Sequence, residues 1–139
     1  MYELGFLIIW LVSVLPTSAS ARLDAEKIHV MAYAKEKAIE QNVDAEKFAL
    51  LIHCESRIDK KQTGDRGESK GLLQFKKATF QEFSKLYKLK GEWLDSYDQI
   101  DLATKMISDG LWYKWYVCSR LVGLNLDYKN KDMVLKVTY

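Results

Sequence analysis

Hydrophobic positions recur at helical spacing along most of this chain. Asp24 is placed to cap a helix over Ala25 to Gln41, whose apolar residues Ile28, Met31, Ala32, Ala34 and Ala38 fall near one face. Asp44 is placed to cap a second, from Ala45 to about Ser56, with Phe48, Ala49, Leu51 and Ile52 as its apolar side. From Ile58 to Lys70 the pattern turns polar, and Thr63-Gly64-Asp65-Arg66-Gly67 at its centre is turn chemistry, so a loop or small hairpin is expected. A short apolar run follows, Gly71-Leu72-Leu73-Gln74-Phe75. Phe80 and Phe83 then mark a third helix from Ala78 to Leu86. A fourth is expected from Asp98 to Trp115, burying Ile100, Ala103, Met106, Ile107 and Leu111, with Gly110 weakening or bending it. Leu121 to Tyr139 fits a short helix, a strand or a frayed end equally well. The pattern predicts a mainly α fold in one domain, with no linker or charge block inside it.

The N-terminus has a different character. Leu4 to Leu15 is apolar except for Gly5 and Ser13. As a helix it reaches about 18 Å, short of a bilayer core of about 30 Å. Pro16 breaks the run, and Ala19-Ser20-Ala21 supplies the small-residue ending of a secretory signal peptide. The expected organisation is a signal peptide over 1–21 and a mature domain over 22–139, exported to the periplasm, the cell wall or the medium. The first residues depart from the pattern by carrying Glu3 and no Lys or Arg, so a membrane anchor or a buried N-terminal helix is the alternative.

Composition narrows the function classes. The 139 residues are 48% apolar and 12% aromatic, too rich for a disordered chain. Net charge is +2, with Lys scattered among Glu and Asp, which argues against a nucleic-acid binder. Cys54 and Cys118 make an even pair without a Cys-x-x-Cys, and His29 and His53 stand apart, so neither a metal nor an organic cofactor is implied. In an exported chain the two cysteines read as a disulfide.

One acid stands out. Glu55 sits where the second helix turns into the Gly-containing loop, half-covered by Leu51 and Ile52. Desolvation there raises a carboxyl pKa and suits a general acid, although a Glu near a helix end is more often a solvated surface residue.

The surrounding residues sharpen this reading. Cys54-Glu55-Ser56, then Gly64-Asp65-Arg66-Gly67-Glu68-Ser69-Lys70-Gly71-Leu72-Leu73-Gln74-Phe75, then Ala78-Thr79-Phe80, and finally Trp112-Tyr113-Lys114-Trp115-Tyr116-Val117-Cys118 resemble the lysozyme-like lytic transglycosylases, over about Lys47 to Arg120. The resemblance implies a mainly α lysozyme-like (α+β) fold with a small loop or hairpin between the catalytic helix and the next. It implies a monomer acting on peptidoglycan glycan strands and touching a membrane only through its N-terminal segment. Glu55 would be the single catalytic acid and base, and the product would carry a 1,6-anhydro ring. Ser56, Ser69 and Gln74 match positions lining the cleft in that family, with turn or capping duty as the alternative for Ser56. A Cys beside the catalytic Glu is paired in short members with a Cys in the late segment, here Cys54 with Cys118. The Tyr-Asn-Ala-Gly motif of larger members is missing, which leaves Tyr113 or Tyr116 to stand in for its Tyr. Trp112, Trp115 and Tyr116 otherwise read as core.

Two alternatives accompany this reading. A lysozyme-type hydrolase needs a second carboxylate. The position two residues before Gly71, where animal-type lysozymes carry it, holds Ser69, which leaves Asp65 or Glu68 nearby. A binding module that kept the fold without catalysis is the other, although it has no use for a half-buried acid.

Overall fold

The computed structural model describes residues 18–124, so the apolar run at 4–15 and the tail from residue 125 lie outside the described residues. Helices α1 (Ala19–Glu40) and α2 (Ala45–Ser56) are followed by three two-residue strands, β1 (Thr63–Gly64), β2 (Ser69–Lys70) and β3 (Phe75–Lys76). Then come α3 (Lys77–Leu86), α4 (Ser96–Ser108), a 3-10 segment at Leu111–Trp115 and α5 (Tyr116–Leu121). This is the expected mainly α arrangement, with the small hairpin realised as an antiparallel sheet of order β1-β2-β3. Its register pairs Gly64 with Ser69 and Ser69 with Lys76.

Two helix boundaries differ clearly from the sequence reading. Helix α1 starts six residues before Ala25, because the Ser18 hydroxyl accepts a hydrogen bond from the Ala21 N–H and caps it; Asp24 lies inside the helix. Its buried stripe is Val30, Ala34 and Ala38, spaced by four, while Ile28 is 69% exposed. The small Ala side chains let α2 and α4 approach closely, and Tyr33 donates to Asp101 of α4 at 2.7 Å. The expected fourth helix stops at Ser108, not Trp115. Gly110 adopts φ +87°, a left-handed conformation that ends the helix instead of bending it, and the chain restarts as the 3-10 segment and α5. Helix α2 matches its expected span, with the Asp44 carboxylate accepting from the Lys47 N–H at 2.9 Å.

The core runs between these helices and beneath the sheet. Phe48, Leu51 and Ile52 of α2 meet Leu72 and Leu73 of the β2–β3 turn and Ile100, Leu102 and Met106 of α4, all essentially inaccessible. Cys54 and Cys118 are disulfide-bonded with Cα atoms 5.8 Å apart, tying the end of α2 to α5. Among the described residues, no helix is long and apolar enough to cross a membrane.

Candidate active site

Glu55 lies in the last turn of α2, on the wall of a cleft of ≈ 430 Å³. The sheet contributes Gly64, Asp65, Ser69, Phe75 and Lys76 to this cleft. Gln74 enters from the turn before β3, Thr79 from α3, and Lys114 and Trp115 from the 3-10 segment. Four parts of the chain therefore line the cleft together with this carboxyl group. Burial pushes that carboxyl up from its ordinary 4.5 to about 7, and the charge of Asp65 adds to the shift. At neutral pH a substantial fraction of Glu55 is thus protonated and able to donate.

Backbone conformation sharpens the picture. Arg57, Ile58, Asp65, Arg66 and Gln74 all have positive φ, between 49° and 61°, although none is glycine. A β-branched residue such as Ile58 at φ 61° is especially unfavourable. Strain of this kind persists only where the surrounding structure enforces it, and here it is concentrated in the segment that carries the chain from Glu55 around the cleft.

The turn beneath the cleft is held from three sides. Gln99, fully buried on α4, accepts from the Leu73 N–H at 2.9 Å and donates to the carbonyls of Lys70 at 3.0 Å and Trp93 at 2.7 Å. The Trp115 indole donates to the Leu73 carbonyl at 2.9 Å. The Gln74 amide donates to the carbonyls of Gly71 at 2.8 Å and Gln62 at 3.0 Å. Its oxygen fills the space beside Gly64, where a Cβ would come within 2.6 Å of it.

The residues singled out from the sequence fare differently. Glu55, Ser69 and Gln74 share the cleft. Ser69 is buried, and its hydroxyl donates to Asp65 at 2.6 Å. The donors of Gln74 go to backbone carbonyls, so both side chains are engaged in shaping the wall. Ser56 is not in the cleft. Its hydroxyl bonds back to the Ile52 carbonyl at 3.2 Å, and the residue lines a different cavity. Tyr113 and Tyr116, 50% and 55% exposed, do not line the cleft either, and the Tyr116 hydroxyl accepts from Arg120 at 2.6 Å. Of the late aromatics read as core, Trp115 is buried, Trp112 is half-buried and Tyr116 is exposed, because the 3-10 segment and α5 do not continue the periodicity of α4.

Asp65 reaches the cleft from a turn, with Lys76 3.8 Å from its carboxylate, while Glu68 pairs with Lys76 at 3.0 Å outside the cleft lining. Lys76, Lys114 and Gln99 were not singled out from the sequence. No motif flags the two lysines, and Gln99 reads as an ordinary polar residue of a helix until its burial is known. Thr79 stands in the Ala78-Thr79-Phe80 run and carried a signal of its own.

A family model described as Transglycosylase SLT domain matches residues 32–113, more than half of the chain, and spans Glu55, the sheet and all of the cleft up to Tyr113. The chain belongs to the SLT transglycosylase family. Its broad activity is accordingly that of a lytic transglycosylase, with peptidoglycan as the substrate class. The match ends at Tyr113, so Lys114, Trp115 and the Cys118 half of the disulfide lie just beyond the matched segment. No curated protein and no solved structure matches the chain.

Proposed function

We propose that Glu55 is the general acid and base of a peptidoglycan lytic transglycosylase that cleaves between N-acetylmuramic acid and N-acetylglucosamine. The observation that carries this reading is a half-buried carboxyl, with its pKa raised to about 7, on the wall of the cleft. Protonated Glu55 donates its proton to the glycosidic oxygen as the bond from that oxygen to muramoyl C1 breaks. The resulting carboxylate then accepts the proton of the C6 hydroxyl while O6 bonds to C1. The product is a 1,6-anhydro ring, Glu55 ends as it began, and no water is consumed. A single carboxyl group thus performs both proton transfers.

Asp65 has a supporting part. Its charge favours the protonated form of Glu55, and it is engaged by the Ser69 hydroxyl and approached by Lys76. The second reading, an inverting hydrolase with Asp65 as the base, draws on the presence of Asp65 in the same cleft. Ser69 and Gln74 support the cleft wall and offer polar groups near the sugar, whereas Ser56 is given no part in substrate binding. Tyr113 and Tyr116, at the exposed rim of the late segment, are proposed to contact the strand only beyond the cleft.

Residues 1–21 are proposed to act as a leader removed on export, with the domain over 22–139 working outside the cytoplasmic membrane. A disulfide suits an oxidising compartment, and cleavage before Arg22 would remove the Ser18 cap and the first three residues of α1. Intact-mass measurement of the exported protein tests the leader: a mass beginning at Arg22 is expected, and one that retains Met1 overturns it. The experiment that tests the catalytic reading is product analysis with Glu55→Gln, set out at the end of the Discussion.

A further inference from the structure

The charges that line the Glu55 cleft do not cancel. With Glu55 protonated they are Asp65, Lys76 and Lys114, one anion against two cations. Lys76 is committed, its ammonium lying 3.0 Å from Glu68 and 3.8 Å from Asp65. Lys114 pairs with no carboxylate among the described residues. Its ammonium stands instead over two aromatic faces, 5.4 Å from the centre of the Phe83 ring and 5.7 Å from that of Tyr113.

Other donors of this wall are already used. Ser69 donates to Asp65, and the Gln74 amide donates to the carbonyls of Gly71 and Gln62. The backbone beside Lys114 is anchored, because Trp115 is buried and its indole donates to the Leu73 carbonyl at 2.9 Å. Lys114 is therefore a charged donor, confined by two rings, in a cleft built for a largely neutral glycan. A carboxylate profits most from such a group, since hydrogen bonds to ionised partners are about twice as strong as neutral ones. The muramoyl ring brings one carboxylate of its own. Its lactyl group stands on C3 of the same ring whose C1 is cut, so it enters the cleft with the bond at Glu55. The lactyl carboxyl is an amide where a stem peptide is attached and a free carboxylate where the peptide has been removed.

Resting on the transglycosylase reading above, we propose that Lys114 is a specificity-determining residue that binds the free lactyl carboxylate of peptide-free muramoyl residues. The enzyme then favours glycan strands already stripped of their peptides over strands that bear them. Lys76 is not the partner, because its ammonium is held by Glu68 and Asp65.

The test compares kcat/KM on amidase-stripped strands with kcat/KM on the same strands after their lactyl carboxylates have been converted to methylamides. The wild type is expected to favour the free carboxylate by about three- to tenfold, the worth of one charge-assisted contact at an exposed site. Lys114→Gln should bring the two rates together, and Lys114→Arg should keep the preference. A wild type indifferent to the conversion overturns the proposal, as does a Lys114→Gln protein that keeps the preference or slows both strands in the same proportion. Peptide-bearing strands locate the carboxylate: if Lys114→Gln slows them as much as it slows stripped strands, the anion belongs to the peptide and the proposal falls. Binding separates this contact from the catalytic reading. NMR titration of Glu55→Gln with a stripped tetrasaccharide, in its acid and methylamide forms, needs no turnover. Tighter binding of the acid form that is lost on adding Lys114→Gln supports the contact even if the wild type cuts neither strand, in which case the Glu55 reading fails alone. Equal binding of the two forms overturns the contact whatever the products are.

Discussion

Gln99 holds Leu73 from beneath the cleft: its side-chain oxygen accepts the Leu73 N–H at 2.9 Å while its amide nitrogen bonds the carbonyls of Lys70 and Trp93. One buried side chain satisfies three backbone groups and fixes the turn that leads into Gln74. Gly71 makes room for it, because a Cβ there would fall 2.4 Å from the Gln99 nitrogen, at a φ of +83°. Gln99→Leu leaves those groups unpaired and is expected to lower stability by about 2–4 kcal/mol, measured by urea denaturation. Gly71→Ala is expected to destabilise as well, through both overlap and strain. A Gln99→Leu protein as stable as wild type would mean that water or a shifted backbone replaces the clamp.

The raised Glu55 pKa links the site to folding. The folded chain holds this proton more tightly than the unfolded chain, whose carboxyl titrates near its ordinary value. Glu55 therefore costs no stability below about pH 4.5, and stability falls as pH rises through about 7. Glu55→Gln cannot ionise, so it should match wild type near pH 4 and exceed it at pH 8. Allowing for the partial solvent exposure of the carboxyl, the gain is about 1–2 kcal/mol, visible as a Tm difference that opens with pH. Wild-type and variant curves that run parallel from pH 4 to pH 8 would contradict the burial of this acid.

The disulfide spans 64 residues and joins the residue beside Glu55 to the helix that follows Lys114 and Trp115. Removing it by Cys54→Ser with Cys118→Ser is expected to cost about 4 kcal/mol on the chain-entropy account. Turnover should fall with it, because the cleft walls at Glu55 and Trp115 lose their covalent link. A shift below about 1 kcal/mol would show that the bond constrains little in the unfolded chain.

Much of this was legible in the residues. The span of α2, its Asp44 cap, the hairpin after it and the place of Glu55 all follow from local patterns that tertiary contacts reinforce. The disulfide followed from an even cysteine count. The start of α1 was not legible, because Ser18 is as good a cap as Asp24, and only the observed hydrogen bond decides between them. The break at Gly110 was read as a bend because glycine is compatible with both outcomes, and its left-handed φ settles it. Ser56 was misplaced because the last turn of a helix points adjacent residues about 100° apart: Glu55 faces the cleft, and Ser56 lines a different cavity. Gln99 and Lys114 reach the turn and the cleft from distant parts of the chain, and no local pattern announces such contacts.

The mass of the products released from purified peptidoglycan tests the central claim most directly. The wild type is expected to release muropeptides ending in a 1,6-anhydro ring, each lighter by one water than the hydrolytic product. Glu55→Gln should lower turnover by about 10²–10⁴, whereas Asp65→Asn should cost far less and still yield anhydro ends. Reducing-end products, together with an Asp65→Asn loss as large as that of Glu55→Gln, would contradict the single-carboxyl account and assign the site to a two-carboxylate hydrolase.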